Sequence, residues 1–229
     1  MQLSETVESV KERIINAQQR SGNKTLVKIV AITKTHPSSI IVEAQKAGLD
    51  TIGENRVQEA EDKFTEVPEA LSLITKRLVG HLQSNKINKA LNLFDTIDSV
   101  DSLKLANKIG NKTLSINRNI PILLEVNTSG ESTKFGFDQE NIDDMLACCE
   151  IEGITVQGLM TIGPLTYDKK MIRGAFISLR NLHQLLNLQT PQHIAKLTEL
   201  SMGMSGDFEI AVEEGATMVR LGTVLFGQR

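Results

Sequence analysis

A regular alternation of strand-type and helix-type segments is the feature that most constrains the fold of this chain. Strands are predicted at residues 27–33, 51–53, 77–80, 96–99, 121–127, 155–161, 199–202 and 218–221, with helical patterns at 38–47, 56–64, 85–93, 102–113, 139–149, 169–186 and 207–214. This alternation implies parallel strands joined by right-handed crossovers. An open doubly wound sheet would share it, but the count of strands favours an α/β fold closed into a (β/α)8 TIM barrel.

The segment before the first predicted strand, residues 2–20, has the apolar periodicity of an amphipathic helix. Few residues follow the last predicted strand, so a complete eighth helix is not expected there. We therefore expect an extra N-terminal helix to cover that gap on the barrel surface. Residues 1–229 are predicted to form a single barrel domain, because the length suits this fold and leaves no second domain to place.

Charge and composition argue against several classes of partner. The formal net charge is −3, with no basic stripe for nucleic acid and no polybasic arm for a membrane surface. No apolar run approaches the roughly 20 residues that span a bilayer, and the N-terminus lacks the pattern of a secretory signal. The two cysteines are adjacent, which disfavours a disulfide, and no metal-ligand spacing occurs. We expect a metal-free, cytoplasmic monomer.

Residue types suited to binding and chemistry follow almost every predicted strand. In barrels of this class the carboxyl-terminal ends of the strands meet at one rim, where active sites form. The candidates at this rim are Lys34, Asn55, His81, Ser201, Met204, Ser205, Arg220, Gly222 and Thr223. The acidic stretches at 59–62 and 213–214 are interpreted instead as solvated helix faces.

Lys34 follows the apolar run at residues 29–32, one residue beyond it, so its side chain should emerge from a buried strand at the barrel mouth. Burial disfavours the charged form of an amine, which lowers its pKa and makes it a better nucleophile towards a carbonyl carbon. A lysine that simply reaches solvent at a strand end is the alternative, and the local pattern leaves both open.

Turns after the seventh and eighth predicted strands are suited to a phosphate group. Ser205 and Gly206 open a helical pattern, where free backbone N–H groups favour an anion. Gly222 allows close approach of the backbone, and Thr223 adds a hydroxyl donor. Phosphate binding between these two loops recurs in this fold. An ordinary helix start and an ordinary turn are the alternative for each segment alone.

Arg220 lies between two apolar residues in a strand predicted to be buried, so its guanidinium group needs an acceptor. A structural ion pair would satisfy that need without any role in binding. His81 and Asn55 are also open to a structural interpretation, because each could hold a loop by hydrogen bonding.

Motifs spread along the chain closely resemble the pyridoxal phosphate homeostasis protein family. They are Ala-Ile-Thr-Lys-Thr at 31–35, Gly-Glu-Asn-Arg-Val-Gln-Glu at 53–59, Gly-His-Leu-Gln-Ser-Asn-Lys at 80–86, Leu-Glu-Val-Asn at 124–127, Lys-Phe-Gly-Phe at 134–137, Gly-Leu-Met-Thr at 158–161, Leu-Ser-Met-Gly-Met-Ser at 200–205, and Arg-Leu-Gly-Thr at 220–223. The resemblance covers nearly the whole chain in order. It implies the barrel fold of the alanine racemase N-terminal domain and binding of pyridoxal 5'-phosphate (PLP).

The resemblance also implies roles for individual positions. Lys34 matches the lysine that holds PLP covalently as an aldimine, and Arg220 matches the arginine that faces the pyridine nitrogen. The phosphate ligands match Ser205, Gly222 and Thr223, with Ser201 and Met204 shaping the same loop. Asn55 and His81 match positions that line the other side of the cofactor.

The expected function is that of a PLP carrier or buffer in intracellular PLP homeostasis, not an enzyme. An arginine stays protonated beside the pyridine nitrogen, which leaves the ring a weak electron sink. Two-base racemisation needs a second acid/base group, which alanine racemase takes from a tyrosine of another domain. The single tyrosine here, Tyr167, falls in a loop-type segment. Apo PLP-dependent enzymes are the expected partners. A PLP-dependent amino-acid racemase-like enzyme and a Schiff-base aldolase are the alternatives.

Overall fold

The computed structural model describes residues 2–131 and 135–228 of the chain. In these residues parallel strands pair in chain order into a closed barrel, because β8 also pairs with β1. The strands are β1 Lys28–Ile32, β2 Thr51–Glu54, β3 Thr75–Leu78, β4 Thr96–Val100, β5 Ile120–Glu125, β6 Ile154–Met160, β7 Glu199–Ser201 and β8 Met218–Leu221. The predicted (β/α)8 barrel is therefore confirmed.

Helices surround the barrel and connect the strands. They are α1 Leu3–Ser21, α2 Ser39–Lys46, α3 Val57–Glu66, α4 Pro68–Leu71, α5 Ile87–Leu93, α6 Leu103–Ser115, α7 Ile142–Cys149, α8 Lys169–Gln189, α9 Phe208–Glu213 and α10 Thr223–Phe226. The single-turn helices α4 and α10 were not predicted, since four residues are too few to show helical periodicity. A 3-10 turn at Ser84–Lys86 leads into α5.

The third strand begins earlier than the sequence pattern indicates. It was predicted at 77–80, whereas β3 pairs with β2 from Thr75, opposite Thr51, onwards. The first half of β3 consists of Thr75 and Lys76. Because these side chains are polar, the apolar pattern of the sequence does not indicate a strand there. The backbone pairing, not the apolar content, sets where this strand starts.

Helix α1 covers the place where a full eighth helix is absent from the described residues, as expected. It packs against α2, α9 and α10. Its buried side chains follow helical spacing and are Val7, Val10, Ile14 and Ala17. Arg13 lies 4.5 Å above the ring of Phe208, and Arg20 pairs with Glu213 at 2.7 Å, so polar contacts tie α1 to α9 as well.

Alternate strand residues face two separate apolar regions. Between the barrel and its helices lies the main core, to which Ala31 and Ile52 contribute. A small cluster apart from it consists of Val30, Ile32, Val79 and Met218, which belong to the interior of the barrel. Because β-strand side chains alternate, Lys34 shares the inward-facing parity of Val30 and Ile32.

Gly158 marks an irregularity between β5 and β6. The register shifts between Ile122, which pairs with Val156, and Leu123, which pairs with Gly158. A Cβ atom on Gly158 would lie 1.9 Å from the carbonyl oxygen of Glu199 on β7. Only glycine allows β7 to approach this closely.

We predict that Gly158→Ala lowers the free energy of unfolding by about 1–3 kcal/mol, because the added methyl group would force β6 and β7 apart. Urea denaturation followed by circular dichroism measures this. Gly174→Ala is the matched control, since Gly174 lies within α8 and has no neighbouring atom within 4 Å of an added Cβ. The control should be neutral or stabilising, by up to about 1 kcal/mol. Equal stability of both variants would contradict the prediction.

Candidate functional site

A cavity of about 280 Å³ opens at the carboxyl-terminal end of the barrel. Ile32, Val79 and Ile162 form its apolar wall. Most of the predicted site residues also line it: Lys34, Asn55, Met204, Ser205, Arg220, Gly222 and Thr223. The loops after β1, β2, β7 and β8 therefore bring these separate parts of the sequence to one place, at the rim where this fold places its active sites.

Lys34 is half-buried at the end of β1, with its side chain in the lining of the cavity. Two residues before it, Ile32 faces the barrel interior. Thr35, the next residue, has a φ angle of 62°, in the left-handed region that non-glycine residues rarely occupy. The chain thus turns sharply away from the barrel just after placing Lys34 over its mouth.

The loops after β7 and β8 are joined at the cavity by Ser205. Its Oγ accepts hydrogen bonds from the backbone N–H groups of Gly222, at 3.3 Å, and Val224, at 3.2 Å. The β7 loop is itself closed by the backbone N–H of Met204, which donates to Asp207 Oδ1 at 2.5 Å. Hydroxyl and backbone N–H groups therefore converge on one side of the cavity, an arrangement suited to an anion.

Arg220 is a buried guanidinium group that also reaches the cavity. Nη1 donates to the carbonyl oxygen and to Oγ of Ser201, each at 2.8 Å, and Nη2 donates to the carbonyl oxygen of Thr161 at 2.6 Å. Burial lowers the pKa of Arg220, whereas Asp98, Glu125 and Asp207 raise it. Ser201 lies beneath the cavity and orients Arg220; it does not line the cavity.

His81 lies beside the cavity, outside its lining. Its ring stacks on Phe135, with ring centroids 3.9 Å apart, and Nδ1 is 3.0 Å from Asp101 Oδ2. Phe135 follows residues 132–134, so Lys134, part of one family motif, lies outside the described residues. The structure places His81 in a side-chain cluster next to the mouth.

Glu125 was not among the predicted site residues, although it ends the apolar strand β5. It is buried, and burial raises its pKa to about 7, an effect that Arg220 opposes and Asp101 adds to. A carboxyl group after an apolar run is the sequence signal that could have drawn attention to it. The interior also holds the ion pair between Arg77 and Asp98, with Nε 2.6 Å from Oδ2.

A larger groove of about 550 Å³ lies at the opposite end of the barrel, between α1 and the start of β1. Its lining includes Ile14, Ile15 and Leu26 together with lysine side chains. We place the candidate site at the smaller cavity, because that one combines an amine, a guanidinium group and converging N–H donors at the carboxyl-terminal rim.

Metal-binding clusters are absent from residues 2–131 and 135–228: no group of three His, Cys, Asp or Glu side chains there is placed to hold a metal ion. No helix there combines the length and apolar character required to cross a bilayer. Burial raises the pKa of the Cys148 thiol to about 12 and that of Cys149 to about 11, so both remain protonated thiols.

Comparison with known proteins places the chain in a family. Residues 6–229 match the family described as "Alanine racemase, N-terminal domain". The pyridoxal phosphate homeostasis protein of Aquifex aeolicus is 39% identical over 233 residues, covering 100% of this chain and 99% of that protein. The chain belongs to the pyridoxal phosphate homeostasis protein family.

Solved structures agree with this family assignment. PipY of Synechococcus elongatus PCC7942, solved with PLP bound, has a TM-score of 0.86 and 36% identity, covering 99% of this chain and 100% of that one. An alanine racemase of Clostridium difficile 630 has a TM-score of 0.76 at 16% identity, and the match covers 100% of this chain but 57% of the racemase. The second likeness concerns the barrel fold that this family shares with racemases.

We predict that Glu125→Gln changes the pH dependence of stability. Because the pKa of Glu125 is raised to about 7 from its ordinary value of 4.5, the folded protein keeps this proton at pH values where the unfolded chain has released it. This group therefore lowers the free energy of unfolding as the pH rises from about 4.5 to about 7. Glutamine stays neutral, so the variant should gain roughly 1–3 kcal/mol relative to wild type between pH 5 and pH 8.

Urea denaturation of cofactor-free protein at both pH values measures this difference. If the free energy of unfolding changes by the same amount between pH 5 and pH 8 in wild type and variant, the prediction is wrong. That result would mean that Glu125 is already ionised in the folded state at pH 5.

Proposed function

We propose that this protein binds PLP in the cavity at the carboxyl-terminal rim, holds it as a Schiff base on Lys34, and carries or buffers the cofactor in the cell. The observation that carries the proposal is the meeting of Lys34, Arg220 and the Ser205–Gly222–Thr223 turns in one cavity. The family relationship and the PLP bound to PipY support the same ligand.

The chemistry of the lining fits this cofactor. The phosphate is an anion, and the hydroxyl groups of Ser205 and Thr223 offer donors to it, beside the Gly222 N–H that donates to Ser205 Oγ. The cavity volume is close to the roughly 300 Å³ at which small-ligand sites begin. Ile32 and Val79 offer an apolar wall to the ring. Lys34 would hold the cofactor through its amine, and the aldehyde would supply the electrophilic carbon with which that amine condenses, with the aldehyde oxygen released as water.

The charged residues of the cavity favour storage of PLP over catalysis with it. When bound, PLP supplies an electron sink, and its strength depends on a protonated ring nitrogen. Arg220 donates to Ser201 and Thr161 and has no acceptor atom, so it could not accept a hydrogen bond from a protonated ring nitrogen and would leave that nitrogen unprotonated. Among the described residues that line the cavity, Lys34 and Arg220 are those with ionisable side chains. Two-base racemisation requires another acid/base group opposite Lys34.

We predict that the purified protein is yellow and that borohydride reduction fixes a phosphopyridoxyl group on Lys34, located by mass spectrometry of peptides. Lys34→Ala should abolish covalent attachment but keep weaker binding through the phosphate contacts. Lys28→Ala is the matched control, because Lys28 lies on the same strand at the other end of the barrel, paired with Glu199 at 2.8 Å. A label on another lysine, or a colourless protein that binds no added PLP, would refute the proposal.

We predict that the loaded protein activates an apo PLP-dependent enzyme, whereas the Lys34→Ala protein mixed with the same total PLP does so no better than free PLP. The measurement is the rate at which enzyme activity returns. Racemisation of alanine or serine is assayed in parallel by chiral chromatography. Robust turnover that depends on Lys34 would favour the racemase-like alternative and overturn the carrier role.

A further inference from the structure

A largely buried polar network between α3 and the end of β2 contacts the strand end that carries Lys34. Its centre is the ammonium group of Lys63, which donates to Glu54 Oε1 at 2.9 Å and to Glu59 Oε1 at 2.7 Å. Glu54 is fully buried, and 7% of Lys63 is exposed. The sequence pattern suggested that Glu59 belongs to a solvated helix face, which is wrong: its carboxylate contacts both Lys63 and the backbone of Thr35.

The network contacts both peptide groups that flank Lys34. On one side, Lys63 Nζ donates to the carbonyl oxygen of Thr33 at 2.7 Å. On the other side, the backbone N–H of Thr35 donates to Glu59 Oε1. Since peptide groups are planar, holding the two on either side of a residue fixes its φ and ψ angles. The direction in which the Lys34 side chain leaves the backbone therefore depends on Lys63 and Glu59.

The side chain of Thr33 adds a third attachment on the same strand end. Thr33 Oγ1 donates to Glu54 Oε1 at 2.7 Å, the same oxygen that accepts from Lys63. Glu54 Oε2 is buried without a hydrogen-bond partner among the described residues. Burial raises the pKa of Glu54, an effect that the hydrogen bonds from Lys63 and Thr33 oppose. Burial also opposes ionisation of Glu59, but hydrogen bonds from Lys63 and Thr35 outweigh it and lower its pKa.

The backbone at this point needs such support. Thr35 has a φ angle of 62°, a conformation that is unfavourable for a β-branched residue and persists only where its surroundings impose it. The hydrogen bond to Glu59 is made by the N–H of this same residue. Stabilisation of α3 would not require hydrogen bonds to the two peptide groups around Lys34. These bonds therefore indicate a role at the Lys34 strand end.

We propose that Lys63 and Glu59 are positioning residues, which hold the backbone of Lys34 so that its amine meets the carbonyl carbon of the cofactor. The inference rests on the proposed function and deepens it. Neither residue lines the cavity, so both act through Lys34 and leave the phosphate and ring contacts untouched. Misplacement of a reacting group by about 1 Å is enough to slow a reaction substantially.

The test separates covalent attachment from binding. The rate at which PLP becomes attached is followed by absorbance after mixing with cofactor-free protein. Affinity is measured with pyridoxamine 5'-phosphate, which has the same ring and phosphate but no aldehyde, so it cannot condense with Lys34. Glu59→Ala should slow attachment about 10-fold while leaving pyridoxamine phosphate affinity unchanged. Glu59→Gln keeps an oxygen that can accept from Thr35, so its rate should fall between wild type and the alanine variant.

Glu61→Ala is the matched control on the same helix. Its carboxylate pairs with Lys89 at 2.7 Å and accepts from Gln58, so its polar partners among the described residues differ from those of the Lys34 strand end. This variant should attach PLP at the wild-type rate. If the alanine variant of Glu59 fails to fold, the glutamine variant decides the question, since it must still be slower than both wild type and Glu61→Ala.

Two results would overturn this inference while leaving the proposed function intact. One is a wild-type rate of attachment in the folded Glu59 variants. The other is an equal loss of attachment and of pyridoxamine phosphate affinity, because that would mean the whole cavity is disturbed. If the wild-type protein attaches no PLP to Lys34, the proposed function itself fails and the positioning role fails with it.

Discussion

Arg220 is a charged group in the interior of a barrel, and the arrangement of the cavity depends on how that charge is held. Its guanidinium donates to Ser201 on β7 and to Thr161 just beyond β6, so one side chain on β8 fixes the spacing of neighbouring strand ends. An unpaired buried cation would be strongly destabilising. The carboxylates of Asp98 and Asp207 offset this cost, and Glu125 does so once it ionises, near pH 7; the three come from different strands and loops.

Hydrogen bonds also join the two loops of the rim where a ligand would bind. The loop after β7 is closed by Asp207, and its Ser205 accepts two N–H bonds from the loop after β8. The two loops therefore have fixed positions relative to each other before any anion arrives. A preformed anion site loses little conformational entropy on binding, which favours retention of a cofactor. Such retention fits the proposed role as a carrier or buffer of the cofactor.

The sequence predicted much of this arrangement, for reasons that can be traced to particular residues. The alternation of segments predicted the barrel, and the positions of Lys34, Ser205 and Thr223 after strands predicted that they would share a rim. The sequence could not show that His81 would stack on Phe135 beside the cavity, or that Ser201 would lie under it, because side-chain directions at strand ends depend on local register. Glu59 was misjudged because helical periodicity describes exposure and carries no information about a backbone N–H on another element.

The binding loops are placed by hydrogen bonds before a ligand arrives. The network around Lys63 acts in the same way on the lysine that would hold the cofactor. An amine at the end of a strand has many rotamers, and freezing them costs entropy that the attachment must overcome. Fixing the backbone on both sides of Lys34 limits which of these rotamers are allowed, and it does so from the outer layer of the barrel without occupying the cavity. Helix α3 therefore has two roles in this proposal: its apolar face packs against the barrel, and its polar residues Glu59 and Lys63 orient Lys34. Because Glu59 and Lys63 lie outside the cavity, its lining can consist of residues that would contact the cofactor directly.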